Sequence, residues 1–323
     1  MIEELLPHLY RIQVPLPRSP LKYLNSYVIK DKERSLIIDT GMNREECLES
    51  LTTNLKQLDI DLNHTDFFIT HIHADHSGLV GTLATETSAV YFNARETKLF
   101  GQTNPWRTYS FNLYLSSGFP EDELRKAIEA HPGIRFGLKK KLDFKILAEN
   151  DTLQVGDFSF RVVETPGHSP GHLCLYESVK QILVCGDHIL FDITPNITYW
   201  PQMDNSLGQY LKNLDKVYDL EVKMLLPGHR SLIHDHRQRI RELQEHHGKR
   251  LEEVLHALSD GAKDVYHIAP CVTWAIKARS WEEFPPQQKW FAFGETVAHL
   301  VYLEKEGKVR RINTGGKITF ALN

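Results

Sequence analysis

The 323-residue chain has little cysteine and no stretch of about 18 consecutive apolar residues, the length that a membrane-spanning helix needs. Its four cysteines are Cys47, Cys174, Cys185 and Cys271. No two of them form a Cys-X-X-Cys pair, and most lie in apolar runs. This pattern favours buried free thiols over disulfides. The first residues carry acidic side chains where a secretory signal would be basic. We therefore expect a cytoplasmic protein that does not enter the membrane.

Positive charge is not in excess either. The chain has 38 Lys and Arg residues against 42 Asp and Glu residues, for a formal net charge of -4. A protein with this balance has no general attraction for polyanions, so nucleic acid is not an expected partner. The sequence also lacks a recognisable Cys-His pairing, which argues against a cysteine nucleophile.

The residues that are present predict an ordinary globular protein. With 41% hydrophobic and 25% charged residues, the composition excludes a disordered or fibrous chain. The length favours one large domain with a smaller appendage. We place a catalytic domain at residues 1–232 and a second domain at residues 233–323.

Two β-rich regions separated by helical sequence predict an α/β fold. Short strand patterns and a helical pattern at residues 44–58 lead to the buried run DFFIT, which ends at His71. A helix is expected at residues 78–85, and strand patterns return from Asp143 onward. Two β-rich halves with helices outside them suggest a four-layer αβ/βα sandwich.

A long segment without strong strand signals, residues 95–145, interrupts this pattern, and we call it the lid segment. It contains the amphipathic run EDELRKAIEAH and five aromatic residues: Phe100, Trp106, Tyr109, Phe111 and Tyr114. Long insertions of this kind often cover binding sites. We expect the lid segment to cover the functional site.

The C-terminal region has a different character. Helical patterns at residues 234–258, 262–277 and 286–304 are followed by KVRRINTGGKITFAL, whose Gly-Gly pair predicts a hairpin. Three helices and a hairpin suggest a small α+β winged-helix-like domain. Its third helix is too rich in apolar residues to read a nucleic acid groove. We expect this domain to pack on the catalytic domain and shape the substrate site, or to form a homodimer contact.

The strongest chemical signal is THIHADHSGL, which follows an apolar strand. It places His71, His73, Asp75 and His76 within six positions. If the segment is extended, alternate histidines share one direction, and the turn that follows aims Asp75 and His76 at a second point. Imidazole and carboxylate together suit zinc, iron or manganese. The motif is therefore a plausible nucleus for a site of two metals.

Three further candidates repeat the same context, a strand followed by a tight turn. His168 follows Pro-Gly in VVETPGHSPGH, Asp187 follows Gly186, and His229 follows a second Pro-Gly. Each alone could be ordinary turn chemistry. Together with the first motif they indicate one joint site.

In this order, the HIHADH string and the TPGHSPGH, GDH and PGH turns resemble the signature of the metallo-β-lactamase superfamily, over about residues 20 to 230. The resemblance implies one metal held by His71, His73 and His168, a second held by Asp75, His76 and His229, and Asp187 between them. Asp39 of the DTG motif would orient ligands without binding metal. The remaining histidines, of which His172 is the nearest to a ligand position, have no place in this set.

The resemblance implies a hydrolase that uses two divalent transition metals, with zinc as the expected metal and iron or manganese as alternatives. A metal-bound hydroxide would attack a small acyl substrate such as a thiolester, a lactone or a related ester. This is the chemistry of the glyoxalase-II-like branch, the hydroxyacylglutathione hydrolases.

Three alternatives stay open. The C-terminal domain resembles the appendage of β-lactamase-like 2 type proteins, some of which are nucleases, so a metal-dependent ribonuclease or phosphodiesterase is one. A mono-iron persulfide dioxygenase is another, because that group shares part of the motif. The third is a non-catalytic metal-binding protein, although a structural zinc site normally closes with four ligands and this chain offers seven candidates.

Overall fold

The computed structural model describes residues 1–100 and 105–323, with side chains from residue 108 onward in the second range. A first sheet holds seven of the described strands in chain order: β1 (Ile2–Leu6), β2 (Leu9–Pro15), β3 (Tyr23–Ile29), β4 (Ser35–Ile38), β5 (Thr65–Phe68), β6 (Val90–Phe92) and β7 (Phe144–Ile146). Strands β1 to β4 pair antiparallel, and β4 to β7 pair parallel.

The second sheet contains β8 (Thr152–Val155), β9 (Phe158–Glu164), β10 (Leu173–Glu177), β11 (Ile182–Gly186) and β12 (Met224–Pro227). Its order is β12-β11-β10-β9-β8, and only the β11–β12 pair among these described strands is parallel. The C-terminal hairpin pairs β13 (Val309–Thr314) with β14 (Lys317–Leu322). Gly315 and Gly316 form its turn with positive φ angles of 58° and 82°, as a two-residue hairpin turn requires.

Helices complete the described fold: α1 (Glu45–Gln57), α2 (Ala74–Ser77), α3 (Val80–Leu83), α4 (Ala94–Thr97), α5 (Pro105–Ser116), α6 (Glu121–Ala130), α7 (Pro132–Phe136), α8 (Ser206–Tyr218), α9 (His236–Ala257), α10 (Val265–Ile268) and α11 (Pro286–Lys305). Helices α8 and α9 begin where Asn205 and Asp235 accept hydrogen bonds from first-turn amides. Among the described residues, no helix is both long and apolar enough to cross a bilayer.

Alternation along the strands builds four layers. On β4, Ile37 packs with the cluster under α1, whereas Leu36 and Ile38 face the second sheet. On β11, Val184 lies between the sheets and Leu183 packs against α8 and α9. Each such fully buried aliphatic side chain contributes about 1.5–3 kcal/mol over an exposed one. The predicted αβ/βα sandwich is confirmed.

The lid segment packs mainly on the C-terminal helices. Tyr114 of α5 and Phe119 contact Phe293 of α11 at ring-centroid distances of 4.6 and 5.0 Å. Its last helix, α7, lies against α2 of the histidine motif. Phe100 instead stacks on Phe144 of the first sheet. Residues 101–104 and the side chain of Trp106 lie outside the described part of the chain, so the covering role stays a prediction.

Two helices that we predicted from the sequence are shorter in the structure than expected. The helix expected at residues 262–277 is only α10, which begins at the cap Asp264, followed by a 3-10 turn at Ala269–Cys271. Pro270 has no amide hydrogen to donate, so the helix cannot continue through it. The helix expected at residues 78–85 is reduced to α3, after the separate turn α2. Cysteines Cys47, Cys174 and Cys185 are buried and free, as expected, whereas the free Cys271 is exposed.

The C-terminal region shares a hydrophobic cluster with the lid segment, and its first helix also packs on the second sheet. Helix α9 begins against the second sheet, where Ile240 and Leu243 are buried, and ends in the C-terminal cluster with Val254 and Ala257. Lys263 forms a bridge with Phe320 of β14, which ties the hairpin to the helices. A winged-helix arrangement of these elements stays a prediction.

Candidate metal centre

The candidate residues lie where strands of both sheets end. The chain leaves β5 at Phe68 and passes His71 and His73 before α2 carries Asp75 and His76. The β9–β10 turn, the end of β11 and the end of β12 supply the other three: His168, Asp187 and His229. Because β4 and β5 are parallel, as are β11 and β12, their carboxyl ends meet at one edge of the sandwich. The structure brings all seven predicted residues together there.

Three histidines form the first group. The Nδ1 atom of His73 lies 3.0 Å from Nε2 of His71 and 2.9 Å from Nε2 of His168. Three ring nitrogens thus converge on one point, in an arrangement that could hold a cation.

The second group contains both carboxylates. Nε2 of His229 lies 3.3 Å from Oδ2 of Asp75, and Nε2 of His76 lies 3.4 Å from Oδ1 of Asp187. The other carboxylate oxygen of Asp187 is 3.5 Å from Nε2 of His229 and 3.7 Å from Nε2 of His168. Asp187 therefore stands between the two groups.

The chemistry of these donors fits two divalent transition ions. His76 Nε2, His229 Nε2 and Asp187 Oδ1 are buried and have no hydrogen-bond partner among the described residues. Buried polar atoms are normally satisfied, so unpaired nitrogen and oxygen atoms that face each other fit the ligand set of a cation. Imidazole and carboxylate are ligands that zinc, iron and manganese accept.

Asp39 supports the site from behind. Its carboxylate accepts hydrogen bonds from the amide of Thr70 at 2.9 Å, from the Thr70 hydroxyl at 2.8 Å and from Nδ1 of His76 at 2.7 Å. A hydrogen on Nδ1 leaves the Nε2 lone pair of His76 free to face a metal. These hydrogen bonds are compatible with the orienting role that the resemblance implied, which stays a prediction.

Two more ligand candidates are oriented by backbone carbonyls. His168 Nδ1 donates to the carbonyl oxygen of Asn196, and His229 Nδ1 donates to that of Tyr23, both at 2.8 Å. Both hydrogen bonds direct the Nε2 atom of the histidine toward the candidate metal centre. Sequence reasoning missed Asn196 and Tyr23, because any residue type can supply a carbonyl and no signal marks them.

Two glycines in the turn motifs are required by close approach. A Cβ atom on Gly228 would lie 2.5 Å from Oδ1 of Asp187, and one on Gly186 would lie 2.8 Å from Nε2 of His172. Gly186 also has a φ of 47°, in the left-handed region. Gly228 therefore makes room for Asp187, and Gly186 makes room for His172 beside the site.

His172 lies beside the site, with its ring centroid 5.1 Å from that of His71. Both of its nitrogens are used elsewhere. Nδ1 pairs with the Thr165 hydroxyl at 2.8 Å, and Nε2 accepts from the amide of Asp187 at 3.2 Å. These bonds support its exclusion from the ligand set.

Electrostatics differ between the two groups. Burial, together with the nearby His168, lowers the pKa of His73 to about 3. Burial would also lower the pKa of His229, but Asp187 and Asp75 raise it to about 9. Burial would raise the pKa of Asp75, but the contact with His229 lowers it to about 2. A cation that binds the second group must therefore displace protons.

Two neighbours of the site were not anticipated from the sequence. The indole of Trp200 stacks near His73, with centroids 6.2 Å apart, and its Nε1 donates to the carbonyl oxygen of His168 at 3.0 Å. Glu96 is buried, accepts from the amide of Gly171 at 2.9 Å and has a pKa that burial raises to about 7. Both come from regions outside the four motifs.

Comparison with known proteins agrees with this geometry. Residues 21–229 match the metallo-beta-lactamase superfamily, and the chain belongs to that superfamily, whose members are generally hydrolases. A crystal structure of a metallo-beta-lactamase family protein from Thermus thermophilus has 30% identity and a TM-score of 0.84. It covers 99% of this chain and all of its own, so the likeness includes the C-terminal region.

Two curated relatives carry more specific names. The beta-lactamase-like protein 2 homolog of Drosophila melanogaster is 26% identical over 90% of this chain and 85% of its own length. The atrochrysone carboxyl ACP thioesterase of Emericella nidulans is 25% identical over 72% of this chain and 58% of its own. The resemblance to β-lactamase-like 2 type proteins expected from the sequence is thereby confirmed.

Proposed function

We propose that the protein is a two-metal hydrolase of acyl thioesters. The observation that carries this proposal is the position of Asp187, whose two carboxylate oxygens lie within 3.4 to 3.7 Å of histidines from both ligand groups. His71, His73 and His168 would hold one ion, and Asp75, His76 and His229 the other. Zinc suits this donor set best.

Two divalent ions held by these residues would supply an acidified water molecule and polarise an acyl carbonyl. The protein's own groups then act by orientation. Asp39, Asn196 and Tyr23 hold the imidazoles, and Trp200 offers an aromatic surface beside His73.

The buried thiols do not compete as nucleophiles. Burial raises the pKa of Cys174 to about 12 and that of Cys185 well above its ordinary value. Neither thiol ionises at neutral pH, and only the thiolate attacks. This supports water, and not either of these thiols, as the attacking group.

The thioester class is favoured because one relative carries a thioesterase name and because the predicted acyl chemistry of the site includes thiolesters. The test combines metal analysis of the purified protein with hydrolysis assays on thiolesters, lactones, phosphodiesters and RNA. We expect about two zinc ions per chain and fastest turnover of a thiolester.

Other outcomes would refute the proposal. A fully active protein with a single iron would favour dioxygenase chemistry. Turnover confined to RNA or phosphodiesters would favour a nuclease, and metal binding without turnover of any of the four classes would favour a non-catalytic role.

A further inference from the structure

The loop at residues 196–200 holds His168 from two sides. The carbonyl oxygen of Asn196 accepts from the ring Nδ1 at 2.8 Å, and Nε1 of Trp200 donates to the backbone oxygen of His168 at 3.0 Å. Both the ring and the main chain of His168 are therefore located by this one loop.

The loop is itself fixed on helix α11 of the C-terminal region. The side-chain amide of Asn196 donates to the carboxylate of Glu295, and the amide of Tyr199 donates to the carbonyl oxygen of Gly294 at 3.0 Å. A Cβ atom on Gly294 would overlap the hydroxyl of Thr198 on the loop and that of Tyr114 on α5. Helix and loop can be this close only because residue 294 is a glycine.

Glu295 is held in turn by Arg250 of α9. The two side chains form a buried ion pair, each less than a tenth exposed. Arg250 also donates to the carbonyl oxygen of Thr273 at 2.8 Å and lies 4.4 Å from the ring centroid of Trp274. Separating the partners of a buried ion pair is strongly destabilising, so the pair stays formed. Arg250 therefore holds the carboxylate of Glu295 in one position.

A second metal centre at this place does not fit the hydrogen bonds. His247, Glu295 and His299 lie close enough to share an ion. The carboxylate oxygens of Glu295 are already used by Arg250 and Asn196, and the Arg250 cation would repel a metal. His299 Nε2 pairs with His247 Nδ1 at 3.1 Å, as two neutral imidazoles do. The cluster is therefore a polar network that anchors the loop.

We propose that the C-terminal helices complete the metal centre through this loop, and that Asn196, held by Glu295, is the positioning residue for His168. The proposal rests on the proposed function in one respect, that His168 is a metal ligand. Without the side-chain hydrogen bond to Glu295, the backbone carbonyl of Asn196 can still accept a hydrogen bond, but its position is no longer fixed. His168 would then bind its ion less tightly.

The test uses the full chain stripped of metal. Asn196→Ala removes the anchor and keeps the backbone acceptor, and Gly294→Ala pushes the loop from the helix. Zinc binding is measured by competition with a coloured chelator, and the visible spectrum of the cobalt(II)-loaded protein reports ligand geometry. We expect both variants to bind one of two ions about 10-fold more weakly, with an altered cobalt spectrum.

Matched controls separate positioning from general loosening. Gly248→Ala is a change of the same kind in helix α9, where nothing lies within 4 Å of the new methyl group. Thr296→Ala removes a buried hydroxyl that donates to Ala292 within α11, one residue from Glu295. Both controls should retain the wild-type zinc affinity and cobalt spectrum.

Wild-type zinc affinity and cobalt spectrum in Asn196→Ala would overturn the proposal. Equal weakening in Thr296→Ala would also overturn it, because loosening of the helix would then explain the effect. If the wild type binds two zinc ions but cleaves no thioester, the proposed function fails and this inference stands. If it binds no zinc, both fail.

Discussion

At Asp39, a change of one side-chain atom tests whether a residue that does not itself bind metal orients the ligand candidate His76. It is buried, accepts three hydrogen bonds and has a φ of 58°, in the left-handed region. Asparagine has the same shape and also tolerates that backbone conformation. Asp39→Asn therefore changes the acceptor for His76 without adding backbone strain.

The expected loss follows from the hydrogen on His76. In the variant, the new side-chain amide can keep its oxygen on the backbone amide of Thr70, which leaves an NH2 group facing Nδ1 of His76. The imidazole must then give up the bond or move its hydrogen to Nε2, the atom that faces the metal. Loss of an outer hydrogen bond of this kind costs about 10- to 100-fold in metal affinity, or about 1.4–2.7 kcal/mol.

The assay is a zinc titration against a coloured chelator, with the melting temperature of the metal-free protein measured in parallel. Asp66→Asn is the matched control, because Asp66 lies on β5 and accepts from the amide of Ala89 at 2.8 Å and from Arg34 Nε at 2.7 Å. Two zinc ions bound by Asp39→Asn with wild-type affinity would refute the reasoning. So would an equal loss in Asp66→Asn.

Three further predictions concern the site and the surface. Asp187→Ala should abolish hydrolysis with the circular dichroism spectrum unchanged, because it would remove the anion between the two proposed cations. Wild-type turnover would contradict the assignment. Zinc affinity should rise from neutral pH to about 9, because only the neutral ring of His229 binds metal. Burial lowers the pKa of His229, but Asp187 and Asp75 raise it to about 9. A zinc affinity that does not depend on pH would be inconsistent with this prediction. Specific nucleic acid binding should be absent, since Arg311 pairs with Glu304 at 2.8 Å, and sub-micromolar, sequence-selective binding in an anisotropy titration would show otherwise.

The ligand candidates could be predicted from the sequence because strand geometry brings them together. His71 and Asp187 each follow a strand with a parallel neighbour, and the ends of parallel strands share an edge. The groups that orient them could not be predicted in the same way. Asn196 and Tyr23 act through backbone carbonyls, and their distance along the chain from His168 and His229 leaves no local pattern.

The secondary-structure prediction was wrong where a helix-breaking proline lies inside an amphipathic pattern. Residues 262–277 have helical spacing, yet Pro270 ends the regular hydrogen bonding after α10 and one 3-10 turn. The pattern at residues 286–304 contains its proline at the first helical turn, where a missing amide hydrogen costs nothing, and α11 forms as expected. The position of a proline within the pattern thus decides the outcome.

The apolar surface of α11 explains why the lid segment and the C-terminal region cannot be treated as separate parts. Phe293, Val297 and Leu300 are buried with Tyr114 and Phe119 of the lid segment in one cluster. Separating these elements would expose several large side chains, at about 1.5–3 kcal/mol each. Residues Tyr114 and Phe119 of the lid segment are therefore held against α11 by this burial. Helix α11 also holds the loop at residues 196–200, so one helix contacts both the lid segment and the loop that hydrogen-bonds to His168.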